Sequence, residues 1–300
     1  MQNAKCRFAL TKNDLRAAGL RPNQWPLRRL TAVGHYPKTG AMFLVDDPSP
    51  DDYLRDILAR EAVDDSAQST FRLLESEVEQ VVSAWGGRHL LEIYPTGAFE
   101  KGLANQSGIG IDFMLSLSPR TPFTSHEVFF SLHAALVREG FEPVVRNVTL
   151  SIVLGGIPVD LLPAKRESMS TDVHEIYSAR TRSGLKSNLT HHVLDALESG
   201  RREEIRLLKL WRDQNGLDFP SFYLELATYA ALRRRPYGTL ADNVWAVLGY
   251  LETLFPARGM LDPSNANNII SAELTMAEKR AISEAATTAR RGKAWSQIVG

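Results

Sequence analysis

Two consecutive glycines, Gly155-Gly156, separate two short apolar runs at residues 147–154 and 157–162, and no other feature constrains the fold as tightly. Glycine takes positive φ without steric penalty, and the two-residue loops that join twisted antiparallel strands need that conformation. The spacing therefore predicts a hairpin. Further strands are expected at 89–94 (HLLEIY) and 111–117 (IDFMLSL), with a helix at 125–139 between the second strand and the hairpin. Before them, residues 51–85 carry Leu54, Ile57, Leu58, Leu73, Leu74, Val78, Val81 and Val82 at three- and four-residue spacing, a helical period that Gly86-Gly87 ends. From about His191 the period is helical again, through 202–213, 221–232 and 240–254. The expected class is α+β: a mixed sheet lobe followed by a helical lobe, with a ligand cleft between them. Residues 1–50, punctuated by Pro22, Pro26, Pro37, Pro48 and Pro50, are read as an unassigned N-terminal extension. Residues 51–185 form the sheet lobe with its leading helix, and 186–300 the helical lobe.

Composition narrows the partners. Thirty-five basic residues balance thirty-five acidic ones. A chain that coats long nucleic acid by charge alone needs a basic excess, so a long nucleic-acid partner is not expected. Arg201-Arg202 and Arg233-Arg234-Arg235 are local basic runs, which read either as solvated faces or as a patch for an RNA acceptor. The lone Cys6 cannot pair within the chain, and no Cys/His cluster has zinc spacing. With no apolar run of membrane-spanning length and no signal-peptide pattern at the N-terminus, the expectation is a cytoplasmic protein without membrane contact.

Four segments bear on chemistry. Gly97-Ala98-Phe99-Glu100-Lys101-Gly102 follows a strand, where a small-residue turn lets backbone N–H groups approach a phosphate chain; a plain surface turn would read the same way. Asp112 heads an apolar strand and Asp160 interrupts another. Each alone fits a solvated edge position. Two acids on neighbouring strands beside a glycine turn fit Mg²⁺, which takes one or two carboxylates and completes its octahedron with phosphate oxygens. Lys209 lies within an apolar helix face, where it either snorkels or reaches a cleft. Ser221 follows Pro220 at a helix start, suited to capping or to phosphate contact, and Phe222 is either core or a stacking face for a base.

Taken in order, Gly97–Gly102, Asp112, Val159-Asp160-Leu161-Leu162-Pro163, Leu208-Lys209-Leu210-Trp211 and Pro220-Ser221-Phe222-Tyr223-Leu224-Glu225-Leu226 resemble the oligoadenylate-synthetase-like nucleotidyltransferases. The likeness is to bacterial members in particular, the CD-NTases of cyclic-oligonucleotide (CBASS) antiphage signalling. Leu261–Asn268 resembles a further family element, so the likeness spans roughly residues 50–300. It implies a polymerase-β-like sheet lobe and nucleoside triphosphates as substrates. It also implies Mg²⁺ (or Mn²⁺) on Asp112 and Asp160, with Asp160 helping to activate the acceptor hydroxyl. The Gly97 and Ala98 backbone would hold the triphosphate, Lys209 and Ser221 would contact the donor phosphates, and Phe222 would stack on the donor base. The implied reaction is attack of a ribose hydroxyl on an α-phosphate, giving a linear or cyclic oligonucleotide for a downstream effector.

Three positions depart from the family pattern: Ala98 stands for a serine, Leu103 for a threonine, and Gly110 for the first acid of an Asp-x-Asp pair. The last removes a shared metal ligand, which implies impaired turnover. The alternative is a catalytically inactive nucleotide-binding sensor or scaffold of the same fold.

Overall fold

The computed structural model describes residues 49–63, 70–108, 110–235 and 238–300. The extension expected at residues 1–50 lies almost entirely outside them.

The hairpin forms as the glycine pair requires. Gly155 and Gly156 adopt φ of 54° and 83°, and Leu154 pairs with Ile157 across the turn. This hairpin belongs to a seven-stranded mixed sheet. In chain order the strands are β1 (Leu90–Thr96), β2 (Ile111–Leu117), β3 (Val144–Val145), β4 (Leu150–Leu154), β5 (Ile157–Arg166), β6 (His174–Ser178) and β7 (Ser183–Ser187). The spatial order is β1-β2-β5-β4-β3, with β6 pairing the second half of β5 and β7 pairing β6. All contacts are antiparallel except β2 with β5, which run parallel.

The helices are α1 (Pro50–Arg60), α2 (Thr70–Gly86), α3 (Gly97–Glu100), α4 (Ser125–Arg138), α5 (Leu189–Glu198), α6 (Arg202–Gln214), α7 (Ser221–Leu232), α8 (Leu240–Thr253) and α9 (Met276–Ala289). Their starts are written in the sequence. Thr124 with Glu127, and Thr275 with Glu278, form reciprocal capping boxes on α4 and α9. Ser49 caps α1 ahead of Pro50, and Thr239 caps α8. The helical stretch expected over 51–85 is two helices, because α1 ends at Arg60.

Alternation along β2 and β5 sorts their side chains onto two faces. Ile111, Phe113, Leu115, Val159 and Leu161 pack under α2 and α4, against Leu74, Val78, Phe129 and Leu132. Met114, Leu162 and Ala164 take the other face with Ile176. The helical lobe has its own core, centred on Trp211, Tyr223, Phe219 and Phe255. Leu54, Ile57 and Leu58 of α1 lie in that core, so the leading helix packs with the C-terminal helices it precedes by 130 residues or more. Among the described residues no helix is long and apolar enough to cross a membrane.

Candidate active site

Strand register determines where the two acids lie. Parallel pairing sets Asp112 directly beside Asp160, and antiparallel pairing sets Thr96 beside Asp112 and Ser151 beside Asp160. Parity then puts both acids on the Met114/Leu162 face, away from α2 and α4. The result is a polar row, Thr96-Asp112-Asp160-Ser151, across the middle of the sheet.

The chain leaves β1 at Thr96 and turns at once into α3. Gly97 has φ of 66°, and a Cβ there would overlap the Asp112 carboxylate, coming within 2.8 Å even of its Cβ. No other residue type satisfies both the backbone conformation and the close approach. The segment read as a turn is thus one turn of helix, and its Ala98 N–H donates to Asp112. The Ala98 methyl packs near Leu103, Ala196 and Ile205.

Burial raises the Asp112 carboxyl to about 7, and the adjacent Asp160 adds to the rise. Lys209, the Ala98 N–H and Lys101 act against it. Asp160 Oδ1 is buried with no hydrogen-bond partner. A buried carboxylate oxygen left unpaired is costly, and a divalent cation held by Asp112 and Asp160 would satisfy it. The two acids therefore fit the metal that the resemblance implies. Among the described residues there is no group of three or more His, Cys, Asp or Glu placed to hold a metal. The resemblance would place a further acid at Gly110, whose added Cβ would meet Pro158 O at 3.4 Å and Pro158 Cβ at 3.7 Å. The position is open, and its backbone does not demand glycine.

From the helical side, α6 delivers Lys209. Its ammonium donates to Leu103 O at 3.0 Å, and burial lowers its pKa to about 8; Arg212 adds to the fall, while Glu225, Asp112 and Asp213 oppose it. Helix α7 delivers Ser221 and Phe222. Ser221 Oγ accepts from Arg212 Nη1 at 2.8 Å. The Phe222 ring stacks on His192 at 4.1 Å between centroids, and Lys101 Nζ lies 5.1 Å from its centroid.

Sequence reasoning missed four residues of this neighbourhood. Lys101 and Glu225 form a buried ion pair at 2.8 Å. Glu225 is the only charge in the apolar run 221–232, and a lone charge in such a helix demands a partner. His192 is buried, with Nε2 2.8 Å from Asp262 Oδ1. The carboxylate can only accept, so Nε2 carries the proton. Asp262 collects five donors, from His192, Ser187, Asn268 and both the N–H and Oγ of Ser264. Burial works to raise its carboxyl, but these bonds prevail and hold it well below the usual carboxylate range. Ser187 and Asp262 approach the same ring nitrogen, so the trio is a structural hub and not a nucleophile relay. The segment 261–268 earns its place by building this hub beneath Phe222.

The mixed sheet lobe followed by a helical lobe is a polymerase-β-like nucleotidyltransferase fold. Among solved structures, the chain is similar to CdnC of E. coli MS115-1 with ATP (TM-score 0.60, 18% identity, covering 81% of this chain and 86% of that one). It is also similar to the CD-NTase CdnG of Bradyrhizobium diazoefficiens in complex with GTP (TM-score 0.62, 12% identity, 80% and 90%). A third similar structure is the Cid1 poly(U) polymerase bound to MgATP (TM-score 0.56, 12% identity, 80% and 93%). At these identities the likeness is one of fold. No protein-family model matches the sequence, and no curated protein matches it.

Proposed function

We propose that this chain binds a nucleoside triphosphate with Mg²⁺ (or Mn²⁺) and transfers its nucleotide to a ribose hydroxyl, at a rate held down by glycine at position 110. The observation that carries this reading is the in-register pairing of Asp112 and Asp160 on one sheet face, with Asp160 Oδ1 buried and unpartnered. Those two carboxylates would hold the cation, which when bound polarises phosphoryl oxygens as a Lewis acid. Asp160 accepts the proton of the attacking hydroxyl. The new O–Pα bond forms as the Pα–O bond to the β-phosphate breaks, and pyrophosphate leaves. The Lys209 ammonium balances charge on the donor phosphates, and Ser221 and the Gly97-Ala98 backbone hold the triphosphate with it. Phe222 orients the base. The product is a linear or cyclic oligonucleotide, read by a downstream effector in cytoplasmic antiphage defence. In support, CdnC and CdnG, of similar fold, are seen with ATP and GTP.

The test is incubation with labelled ATP, GTP, CTP and UTP, singly and mixed, with Mg²⁺ or Mn²⁺. Pyrophosphate release is expected, and its absence under every combination would sink the enzymatic reading. A specific observation favours a second reading, an inactive nucleotide sensor: the site offers two metal-ligating acids where turnover is best served by three. Calorimetry separates the two, since the sensor binds nucleotide and releases nothing.

A further inference from the structure

The ion pair between Lys101 and Glu225 joins the two halves of the site. Lys101 directly follows α3, and its backbone N–H donates to Gly97 O at 3.2 Å, so its side chain is anchored to the turn over the paired acids. Glu225 lies one helical turn beyond Ser221 and Phe222 on α7. The two groups meet at 2.8 Å across 124 residues of chain, with their side chains only 8% and 5% exposed. The ammonium also lies over the Phe222 ring.

Energetics argue that this pair is not there for stability. Removing two charges from water costs about as much as their attraction returns, and well-packed apolar side chains hold two elements together equally well or better. What an ion pair adds is a defined position, because its strength depends on geometry in a way that apolar packing does not. We propose that Lys101 and Glu225 are a positioning pair that fixes the spacing between the glycine turn and the first turn of α7. Resting on the functional reading above, this means the pair sets the distance between the triphosphate subsite and the base subsite. Neither residue is catalytic.

A ligand that spans two subsites gains affinity over its fragments only when their spacing matches it. Breaking the pair should therefore weaken the intact nucleotide and spare the pieces. Binding of ATP, adenosine and inorganic tripolyphosphate would be measured by calorimetry, with competition against ATP for the weak fragments. The proteins are wild type, K101M, E225Q, K101R and the apolar double variant K101M/E225L. The single variants leave one buried charge alone and lower the melting temperature; the apolar pair recovers it. The expected result is that K101M/E225L melts near wild type yet binds ATP at least tenfold more weakly. Its affinities for adenosine and tripolyphosphate stay within twofold, and K101R, which keeps the pair, retains most of the ATP affinity. Wild-type ATP affinity in K101M/E225L would overturn the proposal, as would an equal loss for all three ligands. If wild type itself binds no ATP, the functional reading fails first and this inference with it.

Discussion

Replacing Gly110 by aspartate should convert a slow or silent site into a fast one. Gly110 immediately precedes β2, and a side chain there would lie beside Pro158, two residues before Asp160 on β5. The added Cβ meets Pro158 O at 3.4 Å and Pro158 Cβ at 3.7 Å, ordinary contacts that call for no rearrangement. A shared metal ligand worth about 4 kcal/mol at the transition state corresponds to roughly a thousandfold in rate. The acid also has a cost. It brings a third negative charge two residues from Asp112, which is already raised to about 7, so the unloaded variant should be less stable than wild type at pH 8. Added Mg²⁺ should reverse that loss. The assay is pyrophosphate release from the triphosphate mixture, run beside thermal unfolding with and without Mg²⁺. Gly110→Asp should gain between a hundredfold and a thousandfold, and its melting temperature should rise more with Mg²⁺ than that of wild type. A variant that folds, binds nucleotide, and gains neither rate nor Mg²⁺-dependent stability would refute the reasoning. The acids would then not share a metal as proposed.

Other perturbations test separate links. Asp112 is raised from 3.8 to about 7, so its folded form holds a proton more tightly than the unfolded chain does; stability is fullest below pH 4 and falls as pH rises through 7. In EDTA, Asp112→Asn should therefore gain stability over wild type between pH 5 and pH 8, with a ceiling of about 4 kcal/mol at 1.36 kcal/mol per pH unit. A difference that urea unfolding finds independent of pH would contradict this. Gly97→Ala should lose about 1–2 kcal/mol for the left-handed backbone and a further ~1–3 kcal/mol for displacing the Asp112 carboxylate. A loss below about 1 kcal/mol would mean the turn is not held as described. Asp262 has its carboxyl depressed in the folded state, so it contributes stability above about pH 4 that is lost as the medium turns more acid. Asp262→Asn should destabilise by about 3 kcal/mol at pH 7 and flatten the acid limb of the stability curve. An unchanged acid limb would show that the hub carries no such linkage.

Much of the fold could be read from local rules because local rules built it. Two glycines between apolar runs left a hairpin as the natural outcome, and strand 111–117 and helix 221–232 fall where alternation and helical period put them. What escaped reading depends on partners distant in the chain. β6 and β7 (HEIYS and SGLKS) carry too few apolar residues to announce themselves and exist because β5 extends past its hairpin and offers a second edge at Ala164–Arg166. α1 looks like the start of one long helix because its period matches that of α2, yet its leucines find their core among α6 to α8.

The candidate site divides along the same line. Asp112 and Asp160 were legible as two acids breaking apolar strands. That they stand in direct register depends on a parallel pairing made through the α4 crossover, which no local pattern encodes. Lys101, Glu225, His192 and Asp262 were harder still, since a charge within an apolar segment says only that a partner exists and not which one. The structure resolves each into a pair joining segments 70 residues or more apart. Both pairs reach Phe222, His192 stacked on its ring and Lys101 Nζ 5.1 Å from its centroid. A loss of carboxylate at position 110 removes one group from the sheet and leaves this bracing untouched. The bracing of Phe222 and the acid pair on the sheet are thus separate constructions, so nucleotide binding and turnover test different residues.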